Sequence, residues 1–323
     1  MLTHRSLEIF ATLWSRHLPD TASPPQIDRQ LPVGGEIFLD HVGHFVRDRE
    51  AAGRALARAG FAPTPVSIQY NLDGSPMGTG NITAMLPNGY IEVLFKAADT
   101  PLGREFEATL DAYSGVHLAN FVVVDAEQAH RRLTGLGFAM RPLVQFRRPV
   151  DTENGPDFAA FTVVRLERGA MAEGRIQILT HRTEHTVWQK RWLKHPNGAL
   201  ALIDLVIASP DVAEAAARFA RFTDRPTRVT RFGQAIVLER GQVQLFERGA
   251  FAEMFPELPA PRLPFIGLYA IRVQSLAAVE RTMHEAQSRS RRLGAALIVP
   301  FPEELGLGAW AFVERDADLP WRG

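Results

Sequence analysis

Apolar and polar positions along this chain follow an order that comes round four times. The run IFLDHVGHFV is apolar and partly β-branched, which predicts a strand. RDREAAGRALARAGFAP is Ala-rich and amphipathic and closes at Gly60, which predicts a helix with a C-terminal glycine. VSIQYNL, NITAMLP and YIEVLFK then predict strands parted by Gly, Asn and Pro turns. The order returns in GVHLANFVVV, DAEQAHRRLTGLG, MRPLVQF, AAFTVVRLE and GRIQILTH. It returns again in ALALIDLVIAS, DVAEAAARFARFT, VTRFGQAIVLER and GQVQLFER, and a last time in PFIGLYAIRVQ, SLAAVERTMHEAQSRSRRLG, AALIVPF and GAWAFVER. Units this small cannot bury a sheet face alone and must pair. The expected fold class is therefore α+β, with four units of one strand, one helix and two or three strands paired into two tandem domains.

The expected layout begins with an N-terminal helix and connector over 1–35, where Leu7, Phe10, Leu13 and Trp14 fall on helical spacing before the Pro-rich TASPPQ. A first barrel covers 36–182, from modules 36–98 and 114–182. HTVWQKRWLKHPNGA interrupts the pattern and makes 183–198 a linker. A second barrel covers 199–316. A length of 323 residues suits two cores better than one.

Composition narrows the function classes. Hydrophobic residues make up 46% and charged residues 22%, the usage of an ordinary globular protein. Lys plus Arg number 36 and Asp plus Glu also 36, so no net field favours nucleic acid or an anionic membrane. The absence of cysteine removes disulfides, thiolate metal sites and a cysteine nucleophile. No apolar run is long enough to cross a bilayer and the first residues lack a secretion signal, so a cytoplasmic location is expected. The expected partners are a small-molecule substrate and, through oligomerisation, a second copy in a homodimer. No phosphate-binding glycine loop, Ser-His-Asp spacing or basic–aromatic surface stands out.

Four polar residues stand in otherwise apolar strands. The first module opens with Leu39-Asp40-His41 and closes with Gly89-Tyr90-Ile91-Glu92-Val93-Leu94. The second opens with Gly115-Val116-His117 and closes with Arg175-Ile176-Gln177-Ile178-Leu179. This resembles the vicinal oxygen chelate superfamily, which includes glyoxalase I, methylmalonyl-CoA epimerase, extradiol dioxygenases and resistance proteins. The GTGN tetrapeptide at 78–81 before YIEVL is similar to its glyoxalase-like subgroup. The resemblance implies four βαβββ modules paired into two tandem half-open barrels, and one divalent metal ion held by His41, Glu92, His117 and Gln177. Imidazole and carboxylate ligands suit Zn, Ni, Co, Mn or Fe.

The residues also argue for themselves. Side chains two apart on a strand share a face. His41 then shares its face with Leu39, Gly43 and Phe45, His117 with Gly115, Ala119 and Phe121, and Glu92 with Tyr90 and Leu94. A carboxylate among apolar neighbours costs several kcal/mol unless it is paired or coordinated. Taken singly, each histidine also reads as a hydrogen-bonded core residue, Glu92 as an arginine's partner, and Gln177 as a strand-end polar group. Glu92 is the expected catalytic base, since Gln177 cannot take a proton. Thr79, Asn81 and His195 are the expected substrate contacts. His44 reads as structural, the tryptophans Trp188 and Trp192 as packing, and Arg147 and Arg148 as a solvated pair.

The function implied is a metal-dependent lyase or isomerase that forms an enolate of a small oxygenated substrate. The alternatives are an Fe(II) extradiol-type dioxygenase and a non-catalytic binding or resistance protein. Aligning the later modules on the first two puts Leu205, Gln244, Tyr269 and Ala311 at the four ligand positions. These residues make no metal site, so the second barrel is expected to be degenerate.

Overall fold

A computed structural model describes residues 28–322, so the predicted helix at Leu7–Trp14 and its connector lie outside the described residues. The first module runs β1 (Phe38–Phe45), α1 (Arg49–Arg58), β2 (Ser67–Asn71), β3 (Pro76–Met85) and β4 (Tyr90–Lys96). After α2 (Pro101–Leu110), the second runs β5 (Gly115–Val122), α3 (Ala126–Gly135), β6 (Val144–Thr152), β7 (Gly155–Val164) and β8 (Arg175–His181). A short α4 (Glu184–Val187) leads to the third: β9 (Ala199–Ser209), α5 (Val212–Thr223), β10 (Thr227–Thr230), β11 (Gly233–Val237) and β12 (Gln242–Glu247). The fourth follows α6 (Arg248–Met254) as β13 (Phe265–Val273), α7 (Leu276–Glu285), β14 (Arg291–Leu293), β15 (Ala296–Pro300) and β16 (Ala309–Val313). The repeating order read from the chain is the order of the elements.

The first eight strands form a closed barrel in the order β1-β4-β3-β2-β6-β7-β8-β5. The expected half-open barrel is closed because β2 pairs with β6 at Tyr70–Arg147 and Asn71–Phe146. The other eight form a sheet, β10-β11-β12-β9-β13-β16-β15-β14, whose end strands do not pair. In each sheet two opening strands run antiparallel at the centre, β1 on β5 and β9 on β13. Each takes its module's last strand as a parallel neighbour.

The opening strands share one irregularity. In β1 the pairing steps from Leu39 to His41 and leaves Asp40 as an extra residue. In β5 the extra residue is His117, between Val116 and Leu118. In β9 it is Ile203, and in β13 it is Gly267. A bulge turns the side chains beyond it to the other face. This corrects the alignment of the second half. Counted from the bulges, Asp204 stands where His41 stands and Ala270 where Asn120 stands. The parallel pairing puts Gln244 at the Glu92 position and Ala311 at the Gln177 position. Leu205 and Tyr269 point the other way, into the core shared by both sheets.

The inner face of the second sheet is packed with side chains. Phe246, Phe251, Phe255 and Trp321 are fully or nearly fully buried in a cluster with Val206, Leu268 and Ala311. Trp321 Nε1 donates to Asp204 Oδ2 at 2.8 Å, Gln244 Nε2 donates to the same oxygen at 3.1 Å, and Arg322 holds the other. No helix of the described residues is long and apolar enough to cross a membrane.

The two sheets are tied by backbone hydrogen bonds from Leu39 to Arg240, Asn88 to Leu200 and Leu307 to Ser114. A buried polar chain also crosses the junction. Trp310 Nε1 donates to the Tyr269 hydroxyl at 2.6 Å, and that hydroxyl lies 2.9 Å from His44 Nε2. His44 Nδ1 donates to the Leu305 carbonyl at 2.9 Å. The carbonyl can only accept, so Nδ1 carries the proton and Nε2 accepts from the hydroxyl. Burial holds this neutral imidazole down to about 4. The unfolded chain takes up the proton near pH 6.5, the native protein only near 4. Stability is therefore expected to fall as pH drops from 6.5 toward 4, with His44 contributing at most ~1.4 kcal/mol per pH unit. His44→Gln should make the dependence of the urea midpoint on pH shallower over that range. Equal slopes would mean that His44 titrates normally.

Candidate active site in the first barrel

The interior of the closed barrel is a cavity whose wall is polar on one side. His41 from β1, Asn81 from β3, Glu92 from β4, Asn120 from β5 and Gln177 from β8 all line it. Tyr90 Cα is the register partner of His41, and the two rings stack with centroids 4.1 Å apart. His41 Nδ1 lies 2.7 Å from Asp40 Oδ2, and His181 Nε2 lies 3.1 and 3.2 Å from the two Asp40 oxygens. Asp40 is fully buried. Burial works to raise its pKa, but His181 and His41 outweigh that and hold it well below the usual carboxylate range. Because Asp40 can only accept, Nδ1 of His41 carries a proton and Nε2 is presented to the cavity.

Nε2 faces two groups. Glu92 Oε2 is 3.5 Å away, and the Asn120 amide nitrogen is 2.7 Å away. Burial works to lower the pKa of His41, but Asp40 and Glu92 reverse this and raise it. Asn120 Oδ1 is buried with no partner. Turning this amide end for end places the oxygen on a protonated Nε2, which satisfies both atoms. The raised pKa and the orphaned oxygen thus point to the same imidazolium. Glu92 Oε1 accepts from Asn81 Nδ2 at 2.6 Å. Burial works to raise the Glu92 pKa, and His41, Asn81 and Arg148 together bring it below the ordinary value. The wall therefore holds a carboxylate whose pKa is lowered beside an imidazole whose pKa is raised. One can accept a proton and the other can donate one.

The structure brings His41, Glu92, Gln177 and Asn81 together and leaves three other expected residues out. His117, the bulge residue of β5, opens onto a second cavity at the barrel mouth. Its Nε2 donates to the Tyr113 carbonyl at 2.8 Å, and burial lowers its pKa to about 4. Thr79 shares the strand face of Asn81 but does not line this cavity, its hydroxyl donating to Gln69 Oε1 at 2.6 Å. His195 bridges backbone at the junction: Ala62 N–H donates to Nδ1 at 2.9 Å, and Nε2 donates to the Met85 carbonyl at 2.8 Å. The glycines of GTGN serve packing. Gly78, at φ 112°, lets Thr100, the N-cap of α2, lie against β3. Trp188 closes the barrel beside His181 and Tyr90, with ring centroids 4.7 and 6.0 Å away.

Sequence reasoning did not assign Asp40, Asn120, His181, Arg165 or Arg175 to the site, and it read Arg148 as solvated. Two of these had a signal. Asn120 interrupts the apolar run GVHLANFV just as Glu92 interrupts YIEVLF, and Arg175 shares the strand face of Gln177 two residues on. Arg148 is 6% exposed and faces Glu92 across the cavity. The apolar partners that bury it come from other strands, which no local pattern shows.

A barrel of paired βαβββ modules with a polar inner wall is the vicinal oxygen chelate architecture. Residues 39–223, more than half of the chain, match the family defined by a glyoxalase-like domain, and the protein belongs to that family. A search of the curated proteins by sequence finds no match. Among solved structures, a hypothetical protein from Staphylococcus aureus aligns with TM-score 0.58 at 10% identity, over 85% of this chain and 98% of the other. A triple mutant of 4-hydroxymandelate synthase from Streptomyces coelicolor aligns with TM-score 0.57 at 13% identity, over 86% and 92%. A fusion of a xylose isomerase-like TIM barrel with 4-hydroxyphenylpyruvate dioxygenase aligns with TM-score 0.51 at 11% identity, over 90% of this chain and 50% of that one. At such identities the likeness is one of fold.

Members of this superfamily commonly bind a divalent metal, and the donors present here test whether this barrel fits one. Three of the four expected ligands line the interior: one imidazole, one carboxylate and one amide. The second imidazole, His117, is turned to the mouth and bonded to a carbonyl. Among the described residues, no three His, Cys, Asp or Glu side chains form a group able to hold a metal ion. A four-ligand site with two imidazoles does not fit these residues.

The geometry makes His41 dependent on Asp40. Asp40→Asn should lower the His41 pKa, and imidazole 15N resonances followed across pH would show it. An unchanged titration would mean that Asp40 does not set the state of His41.

Proposed function

We propose that this protein is a glyoxalase-like enzyme that moves a proton on a small oxygenated substrate held inside the first barrel. Glu92 takes the proton from carbon next to a carbonyl, and His41 donates to the carbonyl oxygen as the enolate forms. The observation that carries this reading is the His41–Glu92 pair on the cavity wall, fixed from behind by Asp40 and from the side by Asn81. A carboxylate and an imidazolium in a water-poor cavity stabilise developing charge better than the same groups in water. The neighbouring arginine Arg148 adds positive charge where the enolate oxygen develops.

Lyase or isomerase chemistry both begin with this step. A metal-dependent form would draw on His41, Glu92 and Gln177, one donor short of the expected set. An extradiol-type dioxygenase needs two imidazoles and a carboxylate on one iron. Among the described residues only His41 supplies an imidazole to the interior, which favours the proton-transfer reading. A purely binding role would leave the ion pair without a task.

Exchange of carbon-bound protons in D2O, followed by NMR over a panel of small oxo and hydroxy compounds, tests the proposal. The wild type should exchange at least one compound. Glu92→Gln should slow exchange by roughly 100-fold or more, the range for a lost general base. Gln is the residue at the equivalent positions 177 and 244, so the fold should tolerate it. Elemental analysis and treatment with a chelator accompany the assay. Activity lost on chelation and restored by one metal would establish the metal-dependent form. Exchange unaffected by Glu92→Gln would remove Glu92 from the reaction.

A further inference from the structure

Two arginines at the feet of one hairpin line the first barrel with no side-chain hydrogen-bonding partner among the described residues. Arg165 directly follows β7 and Arg175 opens β8, and the β7–β8 pairing draws these two positions together. Both line the interior cavity, and both also line the mouth cavity above it, where His117 and Arg262 stand. Arg165 Nε is enclosed and has no partner. The Arg175 guanidinium lies over the Phe45 ring at 5.1 Å, which orients it without neutralising it. Burial, then repulsion from Arg175 and Arg141, pulls the Arg165 pKa down to about 9. Burial pulls Arg175 to about 10.

The carboxylates nearby are already engaged. Glu105 is felt by both arginines, but its two oxygens accept from Arg141 at 3.0 and 3.1 Å. Glu167 at the mouth accepts from Arg141 as well, at 3.1 Å. Glu92 belongs to His41 and Asn81. Two planar cationic forks, half-buried and mutually repelling, are stabilised by an anion whose oxygens receive their N–H groups. Lysines would not present that geometry.

We propose that Arg165 and Arg175 form an oxyanion subsite between the mouth and the interior cavity, so that the substrate is a small organic anion, a carboxylate or a phosphate. Gln177 stands beside the subsite, since it too lines both cavities. A molecule anchored there extends its uncharged oxygenated end toward His41 and Glu92. That direction rests on the proton-transfer reading above; the subsite itself does not.

Calorimetric titration of the full chain at low salt tests this with three probes: pyruvate, inorganic phosphate and hydroxyacetone, an uncharged analogue of pyruvate. Pyruvate or phosphate should bind, and hydroxyacetone should bind at least tenfold more weakly. The ratio of pyruvate to phosphate affinity separates the two anion classes. Arg165→Gln and Arg175→Gln should each weaken anion binding at least tenfold without lowering Tm, since each removes a half-buried charge that no carboxylate of the described residues neutralises. Arg165→Lys and Arg175→Lys keep the charge and lose the fork. They should weaken pyruvate binding even if the Gln variants fail to fold. Glu92→Gln should leave anion binding intact. Anion affinity unchanged in the Gln or Lys variants, or no preference for an anion over hydroxyacetone, would overturn the subsite. Anion binding in a wild type that exchanges no proton would leave the subsite standing and defeat the proton-transfer reading instead.

Discussion

A carboxylate taken fully out of water must be paired, and Asp40 is such a carboxylate. Its partners are His41 on the same strand and His181, 141 residues further on at the end of β8. This one requirement links the opening strand of the first module to the closing strand of the second. It fixes which nitrogen of His41 is protonated, and hence which nitrogen meets the cavity. It also explains the packing at the barrel's closed end, where Trp188 covers His181 and Tyr90 stacks on His41. His41 faces the cavity and is held through Asp40 and His181, which lie outside it.

The modules were legible in the chain because each strand and helix carries its own period and its own punctuation. The Ala-rich helix ending at Gly60 and the apolar run around His41 need no distant information. Glu92 and Gln177 were legible for a related reason: each is a polar residue in a strand whose neighbours are apolar. What failed was parity. Each opening strand holds at least one residue more than its partner accounts for, β9 two (Leu200 and Ile203), and strict alternation across such a point assigns later residues to the wrong face. The resemblance put His117 with His41, and matching short motifs put Leu205 and Tyr269 in the second cup; neither registers where each opening strand carries its extra residue. The bulges at Asp40, His117, Ile203 and Gly267 become visible only when both paired strands are known.

The two halves of the chain solve the same geometry differently. The first closes on itself through β2 and β6 and keeps its interior polar. The second leaves its ends unpaired and fills its inner face with Trp321 and three phenylalanines, tied down by Asp204. Asp204 sits at the position of His41, so a charged group persists there while its task changes. In the first barrel the polar position faces a cavity. In the second it anchors a plug.

The hairpin of β7 and β8 stands apart from the strands that carry His41 and Glu92. Its feet are the arginines Arg165 and Arg175, and its connecting segment, 166–174, runs over the mouth, half-buried or exposed except at Met171 and Glu173, which are buried. A change in the length or composition of that segment therefore reaches the two guanidinium groups without passing through β1 or β4. One loop can therefore be reshaped at the barrel mouth while the His41–Glu92 pair on the opposite strands stays as it is.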